Sequence, residues 1–360
     1  MVISTCLWLA GCGPKPPLQV GFVGGLSDRN ADNGQSGLNG ATLAVEAFNR
    51  EGGLNGRLVQ LVVRDDAQDP ARAEAAAREL VEAKVEAVIG PFTSGMAKVI
   101  VPILGEAGIF VVSPTITSMD FHGKDDNLFR INRTTRDNAR DYAEVMVGRG
   151  QRRIAVALDQ RNRSFSESWL AEFRRAVAAR GGEVVAEVPY QSGADTPFDS
   201  VVQQMLQSRP DSLFFIAGAL DVARLAQQAR RQAPALPIGA SEWAATEQLL
   251  ELGGEVVRGL LIVQNYDRDD PSPRYRAFSD AYFKRFQRLP GYSSVSAHDA
   301  ATVLLTALRR RSDGGTLKAA ALASSPHAGL QQQIVFDANG DTPRKVFFTE
   351  VQEGRYVKLK

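Results

Sequence analysis

The chain has 360 residues, 44% of them hydrophobic, more than the roughly 250–300 residues at which a single core stops growing, so two domains are expected. Lys and Arg number 42 against 41 Asp and Glu, scattered rather than blocked, which excludes nucleic acid, a partner that wants a basic stripe, and also a polybasic membrane face. Past residue 12 no apolar run is long enough to span a bilayer, and the only cysteines, Cys6 and Cys12, leave residues 13–360 with no thiol, disulfide or cysteine metal ligand.

From the N-terminus, Leu9-Ala10-Gly11-Cys12 sets small residues before a cysteine and resembles a bacterial lipobox. The resemblance implies that residues 1–12 are a lipoprotein signal segment and that Cys12 is the lipidation site. The chain is then exported and meets the membrane through its lipid anchor only, which takes two or more acyl chains to hold. Residues 1–8 carry no Lys or Arg and their apolar stretch is short, as a start codon placed too late would leave them. Residues 13–17, Gly13-Pro14-Lys15-Pro16-Pro17, read as a stiff, extended linker.

From Leu18 onward short β-rich runs alternate with amphipathic helical stretches, the pattern of an α/β protein whose mostly parallel sheets are covered by helices on both faces. Strands are predicted over 20–23, 58–63, 85–89 and 109–112. A helix is predicted over 37–50, stopped by Gly52-Gly53. A second opens at Asp69-Pro70, a capping carboxylate followed by proline at the first helical position, and runs to about Lys84. The third and fourth strands lead into hydroxyl-rich loops, Gly90-Pro91-Phe92-Thr93-Ser94-Gly95 and Ser113-Pro114-Thr115-Ile116-Thr117-Ser118. A second series follows, with strands over 154–158, 184–188, 213–217 and 238–239 and helices beginning near Phe165, Pro197 and Asp221. The remainder predicts a strand over 260–263, helices over 275–286 and 295–310, and closing strands over 334–336 and 346–351.

Several short motifs stand in one order: Gly24-Gly25-Leu26-Ser27, then Gly40-Ala41 through Glu51-Gly52-Gly53-Leu54-Asn55-Gly56-Arg57, then Asp66-Ala67-Gln68-Asp69-Pro70, Ile89-Gly90-Pro91 and Ser113-Pro114-Thr115, with Phe336-Asp337-Ala338-Asn339-Gly340-Asp341 near the end. In this order and spacing they resemble the leucine/isoleucine/valine-binding family of periplasmic proteins that serve ABC importers, over residues 18–360. The resemblance implies a type I periplasmic-binding fold: two Rossmann-like lobes joined by a three-segment hinge, with crossovers near residues 131, 265 and 331. Lobe 1 would comprise 18–131 and 266–330, and lobe 2 132–265 and 331–360. It also implies a monomeric receptor, periplasmic or on the outer face of the cell membrane, that closes on a small ligand without a cofactor and presents it to ABC permease subunits.

Ser94 follows a strand and precedes a helical stretch, where unpaired N–H groups and the positive end of the dipole suit an anionic oxygen. Thr115 and Thr117 stand on the neighbouring loop, also at the carboxyl end of a strand. On their own these residues read equally as a helix cap and turn formers. The resemblance assigns Ser94, Thr115 and Thr117 to a ligand α-carboxylate, and Glu242 in Gly239-Ala240-Ser241-Glu242-Trp243 to a ligand ammonium, so an aliphatic amino acid is the expected ligand. Asn33, Phe92, Phe165, Ala219, Leu220 and Trp243 are candidate pocket-lining residues. Four of them depart from the family: Asn33 stands at a position often aromatic, Phe165 replaces a common tyrosine, and Ala219-Leu220 occupies a region that often bears tyrosine.

An enzyme is not expected: residues 13–360 hold no thiol, and Ser94 is not in a Gly-x-Ser-x-Gly elbow. His122, His298 and His327 lack ligand spacing, so no metal site is expected, and Asp337, Asn339 and Asp341 fail as a calcium loop because Thr342 and Phe348 fall where glycine and glutamate are needed. The alternative is a ligand sensor of the same fold, an amide or aromatic-acid receptor reporting to a regulatory partner.

Overall fold

The computed structural model describes residues 16–29 and 31–359; the expected signal segment with Cys12, and residues 13–15 of the expected linker, lie outside the described residues. The first βα series is β1 (Leu18–Gly24), α1 (Ala31–Arg50), β2 (Val59–Asp65), α2 (Pro70–Glu82), β3 (Ala87–Ile89), α3 (Ser94–Glu106), β4 (Phe110–Ser113) and β5 (Leu128–Arg130). The strands form one all-parallel sheet in the order β2-β1-β3-β4-β5. The cap expected at Asp69 is present, its carboxylate accepting from the Arg72 N–H at 2.9 Å. Helix α1 begins at Ala31, six residues before the predicted start, because its glycines are contact points rather than breakers.

The second series is α4 (Thr135–Gly148), β6 (Arg153–Asp159), α5 (Arg163–Ala178), β7 (Glu183–Tyr190), α6 (Phe198–Gln207), β8 (Ser212–Ile216), α7 (Ala219–Gln232), β9 (Ile238–Ala240), α8 (Glu247–Gly253) and β10 (Leu261–Gln264). The chain continues through α9 (Pro273–Phe286), α10 (Tyr292–Arg310), α11 (Leu317–Ala323), the two-residue strands β11 (His327–Ala328) and β12 (Gln333–Ile334), then β13 (Phe347–Gln352) and β14 (Arg355–Lys358). The second sheet runs β14-β13-β10-β9-β8-β6-β7, parallel except for β13 and β14. Elements β5, α4, α8, α11, β11 and β14 were not foreseen. The strand predicted over 334–336 is reduced to β12, and its Phe336 packs into the first core beside Phe129.

Each sheet is covered on both faces. Apolar residues of α1, α10 and α11 meet one side of the first sheet and those of α2 and α3 the other. In the second, α4 and α5 cover one face and α6, α7 and α8 the opposite one. The chain passes between the sheets after β5, after β10 and before β13. The third passage comes later than position 331: Asp341 still belongs to the first sheet, its carboxylate bound to the buried Arg130 guanidinium, whose Nε donates at 2.8 Å.

Candidate functional site

The carboxyl ends of the parallel strands of both sheets face one cleft. Ser94 follows β3 and is the first residue of α3, after the capping position Thr93. Thr115 and Thr117 follow β4, Phe165 lies in the first turn of α5 after β6, and Glu242 follows β9. These are the loops at which open α/β sheets bind ligands.

A pocket between the lobes is lined from the first series by Phe92, Thr93, Ser94 and Thr115, and from the second by Asn162, Phe165, Glu242 and Trp243. Asn132, Asn265 and Tyr292 complete it where the chain passes between sheets. A larger hollow lies at the amino ends of β4 and β5, among Val101, Pro102, Ile109 and Leu128. It is at the opposite edge of the sheet from the strand ends that gather the polar loops.

The Glu242 carboxylate is buried, five per cent exposed. Its Oε2 accepts from the Trp169 indole N–H at 3.0 Å, and its Oε1 lies 3.5 Å from the Thr117 hydroxyl. Among the described residues no Lys, Arg or His lies within ion-pair distance of it; the Arg133 guanidinium, which acts on it from further away, is itself paired with Asp141 at 2.7 Å. Burial therefore pushes the Glu242 carboxyl above its ordinary value, opposed by hydrogen bonds that include Asn138 and Trp169.

On the facing loops the Ser94 hydroxyl accepts from the Ser118 N–H at 3.4 Å, and the Thr115 hydroxyl donates to the Phe92 carbonyl at 2.6 Å. Thr115 thus turns its side chain back onto the other loop. Thr117 and Glu242, expected at opposite ends of a ligand, meet directly, and Phe165 stacks edge-on against Trp243 with ring centroids 5.8 Å apart. Phe92 also lines the pocket.

Three candidates lie elsewhere. Asn33 is buried in α1 with its side-chain carbonyl accepting from Ser293 at 2.8 Å, one step behind Tyr292. Ala219 and Leu220 form the first turn of α7 and do not line the pocket; Ala219 packs in the core. Asn132, Asn162, Asn265 and Tyr292 were missed. Asn132 follows the unforeseen β5, and Tyr292 opens a helix read as starting three residues later, whereas Asn265 stands at an expected crossover and was legible in principle.

Residues 17–355 match the periplasmic binding protein family. The chain belongs to that family. It is a family of extracytoplasmic solute receptors rather than enzymes. Among curated relatives of this periplasmic binding protein, the Leu/Ile/Val-binding protein of Escherichia coli is 26% identical over 330 residues, covering 90% of this chain and 88% of that protein. The leucine-, isoleucine-, valine-, threonine- and alanine-binding protein of Pseudomonas aeruginosa is 22% identical over 329 residues, covering 90% and 87%. Its fold matches the leucine-binding protein of Thermotoga maritima with a TM-score of 0.87 at 23% identity, covering 95% of this chain and 98% of the other. An ABC transporter solute-binding protein from R. palustris, in complex with benzoate, superposes with a TM-score of 0.85 at 22% identity, covering 95% of each. Among the described residues no helix is long and apolar enough to cross a membrane, and no three His, Cys, Asp or Glu side chains are placed to hold a metal ion.

Proposed function

We propose that this periplasmic binding protein is the receptor of an ABC importer for a small amino acid, gripped as a zwitterion between its lobes. One observation carries the reading: Glu242 is a buried carboxylate with no cation at ion-pair distance among the described residues, in a cleft whose facing loops offer hydroxyls and the N-terminus of α3. A ligand ammonium supplies the missing charge, and its carboxylate goes to Ser94, Thr117 and the backbone near Thr115. The relatives named for leucine, isoleucine and valine, and the rings of Phe92, Phe165 and Trp243, support an aliphatic side chain. An aromatic acid, having no ammonium, would leave Glu242 buried and unanswered.

The division into lobes belongs to the same proposal, with boundaries near 131 and 265 and a third between Thr342 and Phe347. Ligand contact with both lobes favours closure by its higher affinity for the closed arrangement, which the permease reads. Acylated Cys12 would hold the receptor at the membrane, and it would work as a monomer. Replacing Glu242 by Gln is expected to weaken amino-acid binding at least thirtyfold, on the order of 2–5 kcal/mol, with little change in melting temperature. Calorimetry that finds the affinity unchanged would sink the role of Glu242. A thermal-shift screen of amino acids, amides and aromatic acids tests the ligand class, since a tight ligand raises the melting temperature by mass action.

A further inference from the structure

The wall of the cleft carries polar groups that the protein does not answer. Asn132 is four per cent exposed, and neither its Nδ2 nor its Oδ1 has a hydrogen-bond partner among the described residues. Trp243, six per cent exposed and contributed by the loop after β9, has an unpaired Nε1–H. Buried amide and indole groups are almost always paired, and leaving them so beneath a bound ligand weakens binding. An aliphatic side chain would cover these groups without pairing them. A charged one fares no better: among the described residues Glu242 is the only acidic or basic one lining the pocket, and the ligand ammonium engages it.

We infer that the ligand is an amino acid whose side chain is uncharged and hydrogen-bonding, a carboxamide or hydroxyl. That group accepts from Asn132 Nδ2 or Trp243 Nε1 and donates to Asn132 Oδ1. The inference rests on the amino-acid reading of the cleft and departs from the aliphatic expectation in the side chain alone.

Calorimetry on the full chain, with glutamine, asparagine, serine and threonine set against leucine, isoleucine and valine, tests it. The best polar ligand is expected to bind at least tenfold more tightly than the best aliphatic one, a difference of about 1.4 kcal/mol. Asn132→Leu should reduce or reverse that preference. Trp243→Phe, which keeps a ring but removes the N–H, should weaken the polar ligand severalfold more than the aliphatic ones and so narrow the preference, and it decides the matter if Asn132→Leu does not fold. An aliphatic ligand that binds as tightly as every polar one, or a preference untouched by both substitutions, overturns the inference and leaves the amino-acid site standing. Binding of neither set overturns the amino-acid reading itself.

Discussion

Asp66 and Asp159 are fully buried, each at the end of a strand; with one carboxylate oxygen Asp66 holds the Gln68 N–H and Asp159 the Arg161 and Ser192 N–H groups, while the other oxygen has no hydrogen-bond partner among the described residues. Burial is the main reason their pKa values rise from 3.8 to about 6; Asp28 adds to the effect at Asp66 and Asp221 at Asp159. Because the folded value is the higher one, the folded chain holds the proton more tightly than the unfolded chain. The stability from these groups is present below pH 3.8 and lost as pH rises through about 6. A shift of about two units amounts to about 3 kcal/mol per group. Asp66→Asn and Asp159→Asn keep the acceptor oxygen and remove the charge. Both are therefore expected to raise the melting temperature at pH 7.5 and to flatten its decline between pH 4 and 7; a lower melting temperature at pH 7.5 in both would refute the account. At this scale the positions of Ser94, Thr115, Thr117 and Glu242 at strand ends were legible, because each follows a predicted strand. The direct meeting of Thr117 with Glu242 was not, since those residues are separated by 125 positions and come from different sheets.

Helices α1 and α10 pack closely because small residues face one another, Ala41 and Ala44 on one side and Ala297, Ala300 and Ala301 on the other, all in the same core. At Gly40 an added Cβ would sit 2.1 Å from the Ser294 carbonyl oxygen, a backbone atom that cannot swing aside. Gly40→Ala is therefore expected to destabilise the protein by about 1–3 kcal/mol through overpacking. Gly105 near the end of α3 is exposed, with nothing within 4 Å of the same added carbon. Gly105→Ala should be neutral or stabilise by about 0.5–1 kcal/mol through helix propensity. Thermal denaturation of the pair checks both, and equal melting temperatures would count against the contact. The glycines explain why α1 was read as starting at Gly37: the low helix propensity of Gly34, Gly37 and Gly40 was visible in the sequence, but the neighbours that require them, Gly25, Phe92 and Ser294, meet them only in the fold.

Across the whole molecule the lobes exchange charges at the rim of the cleft. Arg29, between β1 and α1, reaches Asp221 on α7 at 3.2 Å, and Arg161, following β6, reaches back to Asp28 at 3.8 Å. Uncharged bonds run alongside: the Gly95 N–H donates to Asn162 at 2.8 Å and the Ser118 hydroxyl to the Ser164 carbonyl at 2.9 Å. Each lobe thus gives one guanidinium and receives one. The acids are more deeply buried than the arginines, so salt screens these pairs less than fully exposed ones. Replacing Arg29 and Arg161 together by Ala should favour the open arrangement and weaken ligand binding about three- to tenfold. Calorimetry reads the affinity and small-angle scattering a larger radius of gyration without ligand; two unchanged readings would show that the pairs do not hold the lobes together.

The sequence alone determined the alternation of strands and helices, because hydrophobic periodicity and capping act over a few residues. It also determined which strand ends carry hydroxyl-rich loops and that Glu242 follows a strand. The short strands β5 and β11 escaped it, since each forms only where a neighbouring strand waits for it. Tertiary structure alone decided that Glu242 is buried against Trp169 and Thr117, that Asn132 and Trp243 face the cleft without partners, and that Ala219 and Leu220 do not. Those outcomes depend on how two sheets are held face to face by three chain passages. Desolvation and pairing across such a gap are set by distances in space, which spacing along the chain does not encode.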